Sequence, residues 1–136
     1  MEGNGKSPLT RDQILAAMDA TIEAVDVPEW GGVVHVRNMT GRQRDQFERS
    51  RYKMIGDKVE IIHENTRAAL LAVSLCDANG TLLFTKEDIE ALGEKNGAAL
   101  DRLFDVAQRL SGLRSQELED KIKNLKRVPS VDSGTN

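Results

Sequence analysis

Few residues in this 136-residue chain could do chemistry: the tripeptide Gly5-Lys6-Ser7, the histidines His35 and His63, the lone Cys76, and two carboxylate clusters. Gly5-Lys6-Ser7 matches the end of a phosphate-cradling loop, but that loop also needs a glycine five positions earlier and a strand to aim it. Neither is in the sequence, so the tripeptide reads as a plain N-terminal arm. A zinc site takes four ligands, or three and a water. His35 and His63 fall in different predicted elements, with no Cys pair or His-Glu-x-x-His spacing beside them. Cys76 and His63 could pair as nucleophile and base, yet Cys76 ends the apolar run 70–76 and reads as a small core residue. Asp57, Glu60 and Glu64 form one carboxylate cluster, and Glu87, Asp88 and Glu90 the other. Acid–base catalysis needs two carboxylates in contrasting environments within a cleft. These fall at predicted helix starts, where negative charge complements the helix dipole. The expectation is a protein with no catalytic residue, no cofactor and no metal.

Residues suited to binding are better represented. Arg37, Arg42, Arg44, Arg49, Arg51, Lys53 and Lys58 make a basic stretch, offset only by Asp45, Glu48 and Asp57. It reads first as a solvated helix face, next as a charged protein-binding face, and last as a nucleic-acid contact. The net charge of −3 argues against a general polyanion binder, and no recognition helix or RNA-binding motif accompanies the stretch. Trp30 stands in the turn Pro28-Glu29-Trp30-Gly31-Gly32. It reads either as folded back onto its hairpin, the favoured reading, or as presented for contact, since tryptophan is enriched at binding hot spots. Trp30, Arg42, Phe47 and Arg51 are the expected partner-binding residues.

These residues need a scaffold, and the composition supports one. Apolar residues make up 39% and charged residues 30%, a globular rather than a disordered mixture. Aromatics are only 4%, so the core must rest on Leu, Val, Ile and Ala. A single cysteine allows no intrachain disulfide and fits a reducing compartment. The first residues lack the apolar segment of a signal peptide. The longest apolar run, 68–73, is far short of the roughly 20 residues of a membrane helix. A soluble, cytoplasmic protein is expected.

The elements follow from caps and periodicity. Thr10 with Gln13 predicts a capping box and a helix over 11–20, with Ile14, Leu15 and Met18 on its buried side. The β-branched runs 21–27 and 33–39 flank a Pro/Gly turn and predict an antiparallel hairpin. Thr40 with Gln43 predicts a second helix over 41–54, anchored by Phe47. Gly56-Asp57 breaks it, and a third helix is expected over 58–73 with Ile62, Ala69, Leu70 and Val73 buried. Asp77-Ala78-Asn79-Gly80 is a turn, after which Leu82, Leu83 and Phe84 return to the core. Thr85 with Asp88 caps a fourth helix ending at Gly93, and Asn96 caps a fifth. There Leu100, Leu103, Phe104, Ala107 and Leu110 make one apolar face, the expected main core stripe. The stretch 115–127 is charged, with Leu118, Ile122 and Leu125 on one side. The expected architecture is mainly α (α+β): a flexible N-terminus over 1–9, a single small helical domain over 10–127 with an N-terminal β-hairpin and its core within 10–113, and a disordered tail over 128–136.

The order VDVPEWGGVVHVRNMTGRQRDQFE, then NTRAALLAVSLCDANGTLLFTKEDIEALGEKNGAALDRLFDVAQRLSGL, resembles the tail assembly chaperones of long-tailed bacteriophages and prophages. The resemblance covers about 25–113. It implies a non-enzymatic protein that binds the long, apolar tape measure protein, keeps it soluble, promotes assembly of tail tube subunits around it, and is absent from the mature virion. The host bacterial cytoplasm is the implied location. The major tail tube protein is a further implied partner. Self-association is also implied, as is a longer form made by a programmed −1 frameshift near 122–126. The family carries no catalytic motif. The competing expectation is a small nucleic-acid-binding regulatory protein, resting on the basic stretch alone.

Overall fold

The computed structural model describes residues 6–113. Its architecture is the expected mainly helical α+β fold with an N-terminal hairpin. β1 (Ile22–Val27) and β2 (Gly32–Arg37) pair antiparallel, Ile22 opposite Arg37 and Val27 opposite Gly32. A 3-10 turn over Pro28–Trp30 joins them and is closed by Gly31 at φ +76. Alternation along the strands puts Val25, Val27 and Val36 into the core, with Val27 and Val36 fully buried. A short strand β5 (Leu75–Cys76) adds to β2, giving the order β1-β2-β5.

Two helices build most of the rest. α5 (Gly97–Leu110) starts where the Asn96 side chain accepts the Ala99 amide at 2.9 Å. It lies against β2 and against α3 (Thr66–Ala72). Its buried face is Ala99, Leu100, Leu103 and Ala107, turned slightly from the expected stripe. Phe104 is only half-buried, and the Arg67 guanidinium lies over its ring, 5.9 Å from the centroid. α3 is buried from Ala68 through Ala72, so small alanines let it sit between α5 and α4 (Ile89–Gly93). Ion pairs tie the hairpin to α5: both Arg102 nitrogens reach Glu29 at 2.8 Å, and Arg109 reaches Glu23 at 2.8 Å. The first pair has a titration signature. Hydrogen bonding to Arg102 is the main cause that lowers the Glu29 pKa to about 2. A depressed carboxylate stabilises the fold above its unfolded pKa, and that contribution is lost as pH falls through the folded value. Following the Glu29 carboxyl carbon by NMR should give a midpoint near 2, and Arg102→Gln should return it toward 4.5. An unchanged midpoint in that variant would contradict the pairing.

Three expectations need correction. The second helix, α2 (Gly41–Arg49), stops five residues before 54, and no helix begins at 58. Instead β3 (Tyr52–Ile55) and β4 (Lys58–Ile61) form a second hairpin, Tyr52 opposite Ile61. Gly56-Asp57 is its two-residue turn, and Gly56 at φ +62 supplies the positive φ such a turn requires. The third helix is therefore short. It begins at Thr66 because Asn65, at φ +62, breaks any helix running through it. The left-handed region is costly for residues with a Cβ, least so for Asn. Asn65→Ala should lower stability by about 1–2 kcal/mol, whereas Asn65→Gly should melt close to wild type; equal effects in thermal denaturation would rule out backbone strain as the cause.

The first helix, α1 (Arg11–Ala16), also ends early. Its capping box forms as expected, with Gln13 N to Thr10 Oγ1 at 3.2 Å and Thr10 N to Gln13 Oε1 at 2.9 Å. Its expected buried side is bare: Ile14, Leu15 and Met18 are all exposed. A cap is a local bond and forms regardless of surroundings, whereas burial needs an element opposite, and the described residues put none there. Among the described residues no helix is long and apolar enough to cross a membrane. The stretch 115–127, which reads as either a short peripheral helix or a frayed one, and the expected disordered tail (128–136) lie outside the described residues.

Candidate binding surface

Three segments far apart in sequence make one groove. α2 contributes Gln46, Arg49 and Ser50, with Phe47 as the floor; α3 contributes Ala69, Ala72 and Val73. The segment 82–89 closes the other side with Leu82, Phe84 and Ile89, and Thr85, Lys86 and Glu87 stand on the rim. The groove encloses about 580 Å³. It is deep because the α3 wall carries alanines rather than large side chains. The 82–89 wall is held by local bonding upstream. The Asp77 carboxylate accepts the Asn79 and Thr81 amides at 2.8 and 3.0 Å, and the Leu83 amide reaches the Leu75 carbonyl at 3.0 Å. The Thr85–Asp88 capping box then turns the chain into α4. An open trough with an apolar floor and charges on its rim suits the apolar stripe of a partner helix.

The expected contact residues divide. Trp30 is 37% exposed at the end of the 3-10 turn, and Arg42 is exposed in the first turn of α2. Neither lines the groove. Phe47 does, but from beneath, at 1% exposure. Arg51 is 4% exposed. Its Nη1 donates to the Ile62 and Glu64 carbonyls at 3.3 and 3.0 Å and to Thr66 Oγ1 at 3.2 Å. It thus clamps the base of the second hairpin to the start of α3, and burial lowers its pKa. Of the four, only Phe47 belongs to the groove lining. Other members of the basic stretch are also occupied internally: Arg44 donates to the Ser111 carbonyl, and Arg37 donates to the Gly80 carbonyl at 2.9 Å.

Among the described residues the candidate chemical groups form no cluster of three or more that could hold a metal ion. Cys76 lies across from His35 in the β2–β5 pairing. Its thiol is buried, and burial is the main cause that pushes its pKa up, opposite to what an activated nucleophile needs. His63 is exposed just before α3. Asp57 sits in the second hairpin's turn and Glu60 in β4, so the helix-start explanation of that cluster does not hold. Asp88 does act at a helix start, accepting the Thr85 amide at 2.9 Å.

The groove residues Ala69, Ala72, Val73 and Phe84 were not expected as a site. Their one sequence signal was the run Leu82-Leu83-Phe84, an apolar stretch after a turn with no regular element to absorb it.

Among solved structures, the tail assembly chaperone of bacteriophage HK97 is similar, with a TM-score of 0.52 and 24% identity over 73% of this chain and 94% of that one. That likeness is one of fold. No curated protein matches the chain. The family described as phage tail assembly chaperone matches residues 10–124, from the α1 cap through α5 and beyond, and the chain belongs to that family.

Proposed function

We propose that this chain is a phage tail assembly chaperone that binds the tape measure protein in the host bacterial cytoplasm, keeps it soluble, promotes assembly of the tail tube around it, and leaves before the tail matures. It acts by binding rather than by catalysis. The observation that carries this reading is the groove between α2, α3 and the segment 82–89, an apolar trough on a chain of this family. An extended protein with exposed apolar stripes is an aggregation hazard. Seating such stripes helix-in-groove, beneath a charged outer surface, keeps the complex dissolved. Trp30 and Arg42 are proposed as contacts outside the groove, with Phe47 and Arg51 holding its frame. The tail tube protein, further copies of this chain and a longer frameshifted form are further proposed partners. The nucleic-acid reading is weaker, since Arg37, Arg44 and Arg51 of the basic stretch bind the chain's own carbonyls.

Co-expression tests the proposal. The cognate tape measure protein, or its helical fragments, should move into the soluble fraction with this chain present and without added metal or nucleotide. Equal insolubility with and without it, or a strict requirement for metal, would overturn the reading.

A further inference from the structure

The two faces of the second hairpin differ in kind. Residues opposite one another in the register share a face, so Tyr52, Met54, Val59 and Ile61 stand on one, and Lys53, Ile55, Lys58 and Glu60 on the other. The second face, with Lys53, Lys58 and Glu60, suits water. The first is apolar but for the Tyr52 hydroxyl. Its foot is covered, because Ile61 packs against the core cluster that includes Phe47 and Ala69. Its outer part is not, and Met54 is exposed. Among the described residues, β3 and β4 make no extensive contact with any element but each other. An isolated two-stranded hairpin is marginal in water at best, so an apolar face held out in this way calls for a partner.

The hairpin is anchored at the groove. Arg49 and Ser50 line the groove, and β3 starts at Tyr52, just beyond them. Arg51, between the two, fixes both feet of the hairpin. Its carbonyl accepts the Ile62 amide at 2.7 Å. Its Nη1 donates to the Ile62 carbonyl at 3.3 Å and to Thr66 Oγ1 at 3.2 Å. Thr66 stands one turn before the groove residue Ala69 on α3. The apolar face therefore rises from the seam between two groove walls, α2 and α3. A strand of four residues reaches about 13 Å, close to the roughly 10–12 Å diameter of a single helix. A second copy of the chain is a poorer fit. A stable interface takes roughly 800 Å² and 20–30 residues from each partner, and beyond Ile61 this face has only Tyr52, Met54 and Val59. It is too small to hold a partner alone and well placed to enlarge an interface that starts beside it.

We propose that the face formed by Tyr52, Met54 and Val59 extends the groove and contacts the same apolar tape measure helix where that helix leaves Arg49 and Ser50. The proposal rests on the groove reading above and adds a second, separable contact to it.

Met54 and Ile55 make the test, being adjacent, similarly exposed at 59% and 48%, and on opposite faces. The probe is a helical tape measure fragment that the wild-type chain keeps soluble on co-expression, titrated calorimetrically against the full-length chain. Met54→Asp should weaken binding about tenfold and the milder Met54→Gln about threefold, while Ile55→Asp stays within about twofold. Thermal melts of all three should stay near wild type. Equal weakening by Met54→Asp and Ile55→Asp, or none by either Met54 variant, would overturn the proposal. Phe84→Ala separates that failure from failure of the groove. If it weakens binding and the Met54 variants do not, the groove stands without the hairpin; if neither does, both readings fall. A wild-type chain that sediments as a dimer beside a Met54→Asp chain that sediments as a monomer would assign the face to a second copy and likewise overturn the proposal.

Discussion

Phe47→Ala is expected to cost about 3–5 kcal/mol of unfolding free energy, a large part of the roughly 5–15 kcal/mol typical of a domain. Phe47 heads the fully buried side chains by volume, at 1% exposure. It is also the sole buried residue of α2, so the truncation opens a cavity and removes the helix's one anchor together. On the α3 side of the groove stand Ala69 and Ala72, which cannot extend to refill the space. Phe104 makes the comparison sharp. Its helical spacing suggests a core residue, but it is half-buried beneath Arg67. Phe104→Ala should therefore cost clearly less, about 1–2 kcal/mol on the area it buries. Urea denaturation followed by circular dichroism gives both values. Equal losses would mean that α2 is not held by Phe47 as described.

What could be read from the sequence divides along local and non-local lines. Caps were legible because each is closed by residues three apart: Thr10 with Gln13, Thr40 with Gln43, Thr85 with Asp88, Asn96 with Ala99. The first hairpin was legible because β-branched runs flank a Pro/Gly turn. The second was not. Tyr52-Lys53-Met54-Ile55 follows a polar helix without a stop signal, and Lys58-Val59-Glu60-Ile61 leads into a true helix, so by pattern both strands read as extensions of their neighbours. Arg51 looked like one more surface charge. Its burial depends on the carbonyls of Ile62 and Glu64, which turn toward it only because β4 ends beside it. The α1 stripe was correct as a pattern and wrong as a statement of burial, because periodicity says which residues share a face, not what lies opposite. The groove is the extreme case. No window of sequence contains it, since it depends on tertiary contact between α2, α3 and the segment 82–89.

That dependence makes the groove testable with neighbouring residues. Phe84→Ala should weaken binding of a tape measure helix about 30-fold, the size of a roughly 2 kcal/mol hot spot, and return a co-expressed tape measure fragment to the pellet. Leu83→Ala should leave binding within about twofold, in the range of an energetically neutral position. Exposure alone predicts the reverse order, since Leu83 is 54% exposed and Phe84 only partly so. The difference lies in where each points, because Phe84 lines the groove and Leu83 does not. Thermal melts of both variants separate lost binding from lost folding, as Phe84 also touches the core. Trp30→Ala completes the set. Trp30 sits at the far end of the first hairpin, on the turn that Glu29 pins to α5. If that substitution abolishes binding while Phe84→Ala does not, the partner meets the chain at the hairpin turn, and the groove belongs to the fold alone.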